Sequence, residues 1–359
     1  MSVHSQRLAR LRERLAQDSL DALAVSNPSN VFYLSGFTGS AGALLVSGDR
    51  AALFSDFRYR LQAKEQASDY EFIEIPKRLV YRLGEQAKAW GIRLLGYEAG
   101  HLTCEARDQL AEGAGDVELA ASSPVESLRA VKSPDEIELI REAVSLADEA
   151  MKHMAGLLQP GVAEREIALE GEFHMRRIGA EAASFNFIVA SGPRSALPHA
   201  ETTERRLQPG DLVVIDIGAR AHGYCSDITR TFAISSTDER ARDVYAIVYR
   251  AQRAAAAAIR AGAVCMEVDG VARSMIADAG YGEAFGHGLG HGVGIDVHEA
   301  PRLTKGEETH LLTGNVVTVE PGIYLEGFGG VRLEDMVRVG EDGAETLTAS
   351  PMADQLPVI

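Results

Sequence analysis

The stretch Asp211–Phe232, "DLVVIDIGARAHGYCSDITRTF", holds two apolar runs, each carrying one aspartate. Its alternation is that of a strand: Val213, Ile215 and Ile217 share one face, and Val214, Asp216 and Gly218 share the other. A hairpin centred between Ala221 and His222 would set Asp216 directly opposite Asp227. Like charges facing each other across a ladder are destabilising, and burying carboxylates without a partner costs still more. A fold that keeps such a pair holds something positive between them. The bland alternative is two solvent-facing strand residues.

A second hairpin repeats the pattern. In "NVVTVEPGIYLEGFGGVRLEDMVRVG", residues 315–340, a turn centred on Gly327 sets Glu320 opposite Glu334. Arg332 lies two before Glu334 and shares its face, and Pro321-Gly322 bends the chain just after Glu320. Between the hairpins lies "FGHGLGHGVGIDVHE", residues 285–299, with His287, His291 and His298. His287 and His291 have the spacing of a zinc helix, but Gly288 and Gly290 lie between them, and each glycine costs roughly 1 kcal/mol against alanine in a helix. No carboxylate follows His287. Irregular chain running into a short strand, "VGIDVH", is the better expectation. Four carboxylates, few imidazoles and no thiolate form a hard ligand set that suits Mn²⁺, with Co²⁺ or Zn²⁺ as alternatives. Four carboxylates exceed the needs of one ion and fit two ions about 3.5–4 Å apart.

The 359 residues suggest two domains, and 46% apolar with 25% charged residues is ordinary for a globular protein with a sizeable core. The net charge of −16 argues against nucleic acid or an anionic membrane as partner. Cys104, Cys225 and Cys265 form no C-x-x-C pair, which favours a reducing, cytoplasmic setting; Cys225 reads as a small buried residue. No apolar run approaches the ~18 residues of a transmembrane helix. "MSVHSQRLARLRERLAQ" reads as an amphipathic helix rather than a signal peptide.

Residues 1–124 alternate short apolar runs with helical patterns, an α/β domain. "DALAV", "VFYLSGF", "GALLVSG", "AALFSD", "YEFIEI", "RLLGYE" and "VELAAS" read as strands, and "SSPVE" as a linker. Residues 125–359 form the second domain. There "SPDEIELIREAVSLADEAMKHMAGLL" opens with Ser133 as cap, Pro134 in the first helical position and Glu136 completing a capping box. A second helix ends at Gly179, and a third is alanine-rich. Helices beside antiparallel hairpins give an α+β class.

Taken together, "VVIDIGA…CSDITRTF", "GHGLGHGVGIDVHE", "VVTVEPGIY" and "GVRLEDMV" resemble the pita-bread metallopeptidases of the aminopeptidase P and prolidase group. "LRAVKSPDEIELIREA" and "FNFIVASGPRSALPHA" extend the resemblance, and "NPSNVFYLSGFTGSAGALLV" with "LFSDFRY" is similar to the creatinase-like N-domain. The resemblance implies a pita-bread catalytic domain, an antiparallel sheet covered by helices, after a smaller α/β creatinase-like domain. It implies Asp216, Asp227, His291, Glu320 and Glu334 as ligands of two divalent ions: Asp216 on one, His291 and Glu320 on the other, Asp227 and Glu334 on both. Glu320 would shuttle the proton, His199 and His298 would position the substrate carbonyl, and Arg332 would organise this shell. His287, Tyr324 and Phe185 fall to the substrate side; support of His291, packing and a core position are their respective alternatives. The implied reaction is hydrolysis of the bond between an N-terminal residue and a following proline, by a homodimer. "FTGSAG" and "DFRY" lean towards an aminopeptidase that also cleaves dipeptides. Arg58 and Arg332 are the cations expected to read a dipeptide's carboxylate, although Arg58 also fits a surface role. A methionine aminopeptidase would lack the N-domain. A creatinase-type amidinohydrolase or a non-catalytic pita-bread protein would lack the ligand carboxylates.

Overall fold

Ala22–Val25 and Ala43–Ser47 are buried at every position, as strands covered on both faces must be. They lie at the centre of the first of two units, which divide at Arg129/Ala130. The computed structural model describes residues 2–359. In chain order the first unit runs α1 (Val3–Gln17), β1 (Ala22–Val25), α2 (Pro28–Ser35), β2 (Ala43–Ser47), β3 (Ala51–Ser55), α3 (Arg60–Gln66), β4 (Glu71–Glu74), α4 (Leu79–Ala89), β5 (Leu94–Tyr97), α5 (Cys104–Ala114), β6 (Glu118–Ala121) and α6 (Pro124–Ala130), the division falling in the last turn of α6. Its six strands form one mixed sheet in the order β4-β3-β2-β1-β5-β6, with β2 and β3 as the expected antiparallel hairpin.

Two expectations fail here. "VFYLSGF" lies mostly in α2, because its start and stop signals outweigh its strand-like residues. Asn27 accepts a hydrogen bond from the Ser29 N–H, Pro28 takes the first position, and Gly36 ends the helix at φ 75°. "SSPVE" is not a free linker, since α6 begins at Pro124 within it.

The second unit runs α7 (Pro134–Ala155), α8 (Glu164–Arg177), β7 (Ala182–Ala183), β8 (Ile188–Ser191), β9 (Leu212–Ile217), β10 (Ala219–Ala221), β11 (Tyr224–Cys225), β12 (Ile228–Ala233), α9 (Glu239–Ala258), α10 (Cys265–Asp278), β13 (Gly290–Gly292), β14 (Glu299–Leu303), β15 (Val316–Val319), β16 (Gly322–Leu325), β17 (Gly329–Arg332), β18 (Asp335–Val339) and β19 (Ala344–Thr346). The capping box at Ser133 is complete, with the Ser133 hydroxyl accepting from the Glu136 N–H and the Glu136 carboxylate accepting from the Ser133 N–H. Met151 and Met154 of α7 and Ile167 and Met175 of α8 pack on Val213, Ile215 and Ile217 of β9. Val244 and Val248 of α9 and Val268 and Ile276 of α10 pack on Val317 and Val319 of β15 and Val337 of β18. Two antiparallel sheets, β12-β9-β8 and β14-β13-β15-β18-β19, are thus each covered by a helix pair. This is the expected α+β arrangement. The segment 293–298 is not a strand: β13 stops at Gly292 and the chain bends until Glu299.

Candidate metal centre

The second hairpin has the expected register. Gly322 pairs with Arg332 and Val319 with Asp335, so Glu320 and Glu334 sit opposite each other between the two rungs. The first hairpin does not. Asp216 faces Thr229 rather than Asp227, and Arg220 faces Cys225. The turn is His222-Gly223, both left-handed at φ 51° and 78°, the two-residue turn that matches strand twist. It moves the register by two residues. A shift of two preserves faces, so Asp227 becomes a diagonal neighbour of Asp216 on the same side.

Of the residues singled out in the sequence, Phe185, His199, Asp216, Asp227, His287, His291, His298, Glu320, Tyr324, Arg332 and Glu334 line one cavity of about 640 Å³, and Arg58 does not. Ligand atoms of Asp227, His291 and Glu334 lie within 4.8 Å of one another. His291 Nε2 is 3.3 Å from Glu320 Oε1 and 3.7 Å from Asp227 Oδ2. On its other side His291 Nδ1 donates to the Gly292 carbonyl at 3.1 Å. That bond places a proton on Nδ1 and turns Nε2 to the carboxylates, where it donates to Glu320 Oε1 and, against the effect of burial, the acids hold the imidazole above its ordinary pKa; Nε2 would give up that proton on ligating a metal.

The carboxylates are crowded and largely withdrawn from solvent. Burial, then the neighbouring acids Glu334, Asp216 and Glu320, hold Asp227 well above the usual carboxylate range. Burial and then the charges of Glu320 and Asp216 do the same to Glu334. Burial also raises Asp216, against the pull of Arg332. Glu320 differs: burial would raise it, but the hydrogen bond and charge of His291, with His287 and Arg332 behind, bring it below its ordinary value. Asp216 Oδ1 and Glu334 Oε1 are buried without a hydrogen-bond partner among the described residues. Such orphaned oxygens are costly unless something cationic meets them. The donor set therefore fits divalent metal.

Arg332 is fully engaged. Its Nη2 donates to Asp216 Oδ2 at 2.6 Å, Nη1 to the Tyr324 hydroxyl at 3.0 Å and the Pro198 carbonyl at 3.2 Å, and Nε to Thr229 Oγ1 at 3.1 Å. Thr229 in turn donates to Glu334 Oε2 at 2.7 Å. His287 does not support His291. Its Nδ1 donates to the Gly288 carbonyl at 2.7 Å, so Nε2 accepts from the Tyr324 hydroxyl at 2.9 Å. Burial pushes the Tyr324 phenol up to about 12, so it stays a neutral donor. His199 and His298 are exposed at the cavity, the His298 ring edge-on to His291 at 4.4 Å between centroids. Cys225 is buried, its Sγ donating to the Ile295 carbonyl. Arg58 lies in the first unit, in an ion pair of 2.7 Å with Asp56.

Reading the sequence alone misses Arg302 and Thr304, which also line the cavity. Arg302 is exposed on β14, directly opposite His291 in the ladder. The signal available was that pairing, which stayed hidden while "VGIDVH" was read as the strand.

Comparison with known proteins decides the family. Residues 138–341 match Metallopeptidase family M24, and residues 7–131 match the Creatinase/Prolidase N-terminal domain. The chain belongs to metallopeptidase family M24. It is 38% identical over 352 residues to an Xaa-Pro dipeptidase of Pyrococcus horikoshii, covering 97% of this chain and 98% of that one. Among solved structures, an Xaa-Pro dipeptidase from Bacillus anthracis has a TM-score of 0.95 at 41% identity, covering 99% of this chain and all of that one. An X-Pro aminopeptidase from Thermotoga maritima has a TM-score of 0.90 at 35% identity, covering 98% and 99%. This M24 chain is therefore a metallopeptidase with the two-domain organisation of its prolidase relatives.

Proposed function

We propose that the protein hydrolyses the bond between an N-terminal residue and a following proline, using two divalent ions, Mn²⁺ by preference. The observation that carries this is the cluster of Asp216, Asp227, His291, Glu320 and Glu334 on one cavity, with two buried carboxylate oxygens lacking any partner among the described residues. These five side chains would hold the metal. When bound, the ions supply a nucleophile at neutral pH and a Lewis acid for the carbonyl. Glu320 is the carboxylate poised to carry a proton, being the one held low and hydrogen-bonded to an imidazole. His199 and His298, exposed at the cavity, orient the scissile carbonyl and stabilise charge developing on its oxygen. Arg332, locked on Asp216 and Tyr324, holds that side of the site rigid. Phe185 offers the cavity an apolar surface for the proline ring.

Within this reading we favour a dipeptidase, against the leaning drawn from "FTGSAG" and "DFRY". A dipeptide presents a free carboxylate just beyond the proline, which calls for a cation there. Arg332 is already occupied and Arg58 is paired with Asp56. Arg302 is the exposed guanidinium on the cavity, and no hydrogen bond or ion pair ties it down among the described residues. Cytoplasmic residence is supported by three free cysteines, and a homodimer by the family resemblance alone. Among the described residues, no helix is long and apolar enough to cross a membrane. The test is kcat/KM on Ala-Pro against Ala-Pro-Ala. A tripeptide rate lower by about a hundredfold, roughly 2.7 kcal/mol, supports the dipeptidase, and comparable rates make the protein an Xaa-Pro aminopeptidase.

A further inference from the structure

The segment from Phe285 to Leu289 carries His287 into the cavity, yet it contains Gly286 and Gly288 and belongs to no helix or strand. Irregular backbone needs its polar groups satisfied from outside. Three of them, the Phe285 and His287 carbonyls and the Leu289 N–H, are met by an ion pair on α10, one turn apart on that helix. Arg273 donates bidentately to Asp269, at 2.7 Å from Nε and 2.7 Å from Nη2, and Asp269 is buried. The same guanidinium donates from Nη1 to the Phe285 carbonyl at 2.9 Å and from Nη2 to the His287 carbonyl at 2.7 Å. It also lies 4.3 Å over the Phe285 ring, which meets the His287 imidazole edge-on at 5.1 Å. Asp269 Oδ1 accepts the Leu289 N–H at 3.1 Å, and the Leu289 carbonyl accepts the Glu320 N–H at 2.8 Å.

We propose that Asp269 and Arg273 are positioning residues that set the aim of His287, and through it of Tyr324 and Arg332. None of the bonds made by this pair reaches the cavity, so it acts only through what it holds. The directional chain then runs from Arg332 to Tyr324 to His287 to the Gly288 carbonyl, and Arg273 anchors the backbone just before that carbonyl, at Phe285 and His287. Lose the anchor, and Tyr324 loses the acceptor that keeps its hydroxyl oxygen turned to Arg332.

The kinetic part of the test rests on the Xaa-Pro peptidase reading; the structural part does not. In a crystal structure of the metal-free Arg273→Met protein, the His287–Tyr324 hydrogen bond, 2.9 Å here, is expected to be broken. In a double-mutant cycle on Mn²⁺-loaded protein, Arg273→Met should lower kcat/KM for Ala-Pro by roughly tenfold to a hundredfold. In a His287→Ala background the same change should cost less than about twofold, because the residue it acts through is gone. A hydrogen bond that survives in Arg273→Met overturns the proposal, and so does an equal fold loss in both backgrounds. If Arg273→Met does not fold, Arg273→Lys keeps the charge beside Asp269 but not the bonds to both carbonyls, and the same two measurements decide. A wild-type protein inactive on Ala-Pro defeats the peptidase reading, while the crystal structure still decides the positioning role.

Discussion

His291 and His298 present edge-to-face rings 4.4 Å apart and have opposite fates in this account. The first turns Nε2 towards the clustered carboxylates, and the second stands exposed. His298→Ala should therefore cut turnover while leaving metal content near normal, whereas His291→Ala should lose metal. The reverse pattern in elemental analysis would exchange their roles. Glu334→Gln removes one of the two acids with an orphaned oxygen, and should abolish activity together with at least part of the bound metal. Arg302→Ala should raise KM for Ala-Pro and narrow the gap between dipeptide and tripeptide. If the gap is unchanged, Arg302 does not read the carboxylate. Asp216, Asp227, Glu320 and Glu334 stood out in the sequence as carboxylates inside apolar strands, with solvent-facing positions as the bland alternative, and His291 was singled out as a ligand only through the family resemblance. Arg302 was not, because an arginine in a polar segment is unremarkable until a ladder sets it beside His291.

At the scale of elements, glycines decide how closely strands approach. A Cβ on Gly290 would meet the Thr318 carbonyl oxygen at 2.0 Å. Gly290→Ala must push β13 away from β15 and carry His291 with it. Metal content, read by elemental analysis, should fall more sharply than helix content read by circular dichroism; unchanged metal would show that the strand tolerates the shift. The α7 cap offers a separate prediction: Ser133→Ala should cost about 1 kcal/mol in denaturant unfolding with kcat unaltered. That cap was legible because Ser133, Pro134 and Glu136 lie within four consecutive residues, although the Glu136 carboxylate also accepts from the Tyr224 hydroxyl. The Glu320/Glu334 ladder was equally legible, its glycine-rich loop centring on Gly327. The Asp216 ladder was displaced by two because the turn follows the left-handed preferences of His222-Gly223, and the midpoint of the two aspartates does not fix it. α2 was hidden for the converse reason: its interior looks like a strand, and only Asn27, Pro28 and Gly36 mark it as a helix.

For the whole molecule, the metal site is a concentration of buried acid within a chain of net charge −16. Asp216, Asp227 and Glu334 have folded-state pKa values raised above those of the unfolded chain. Their contribution favours the metal-free fold at low pH and is lost as pH rises through the raised values. Metal binding requires the ionised ligands. The rise in Tm on adding Mn²⁺ should therefore grow from about pH 5 to about pH 8; a gain that shrinks with pH would place the metal elsewhere. The two-unit organisation was readable from the change of pattern near residue 124, but the division at Arg129 was not, because α6 begins within the segment read as a linker. The central claim is that hydrolysis before proline needs the metal these residues hold. Ala-Pro hydrolysis by protein stripped with a chelator, assayed before and after Mn²⁺ is returned, tests it most directly. The account predicts activity abolished and then restored, and full activity in a rigorously metal-free sample would contradict it.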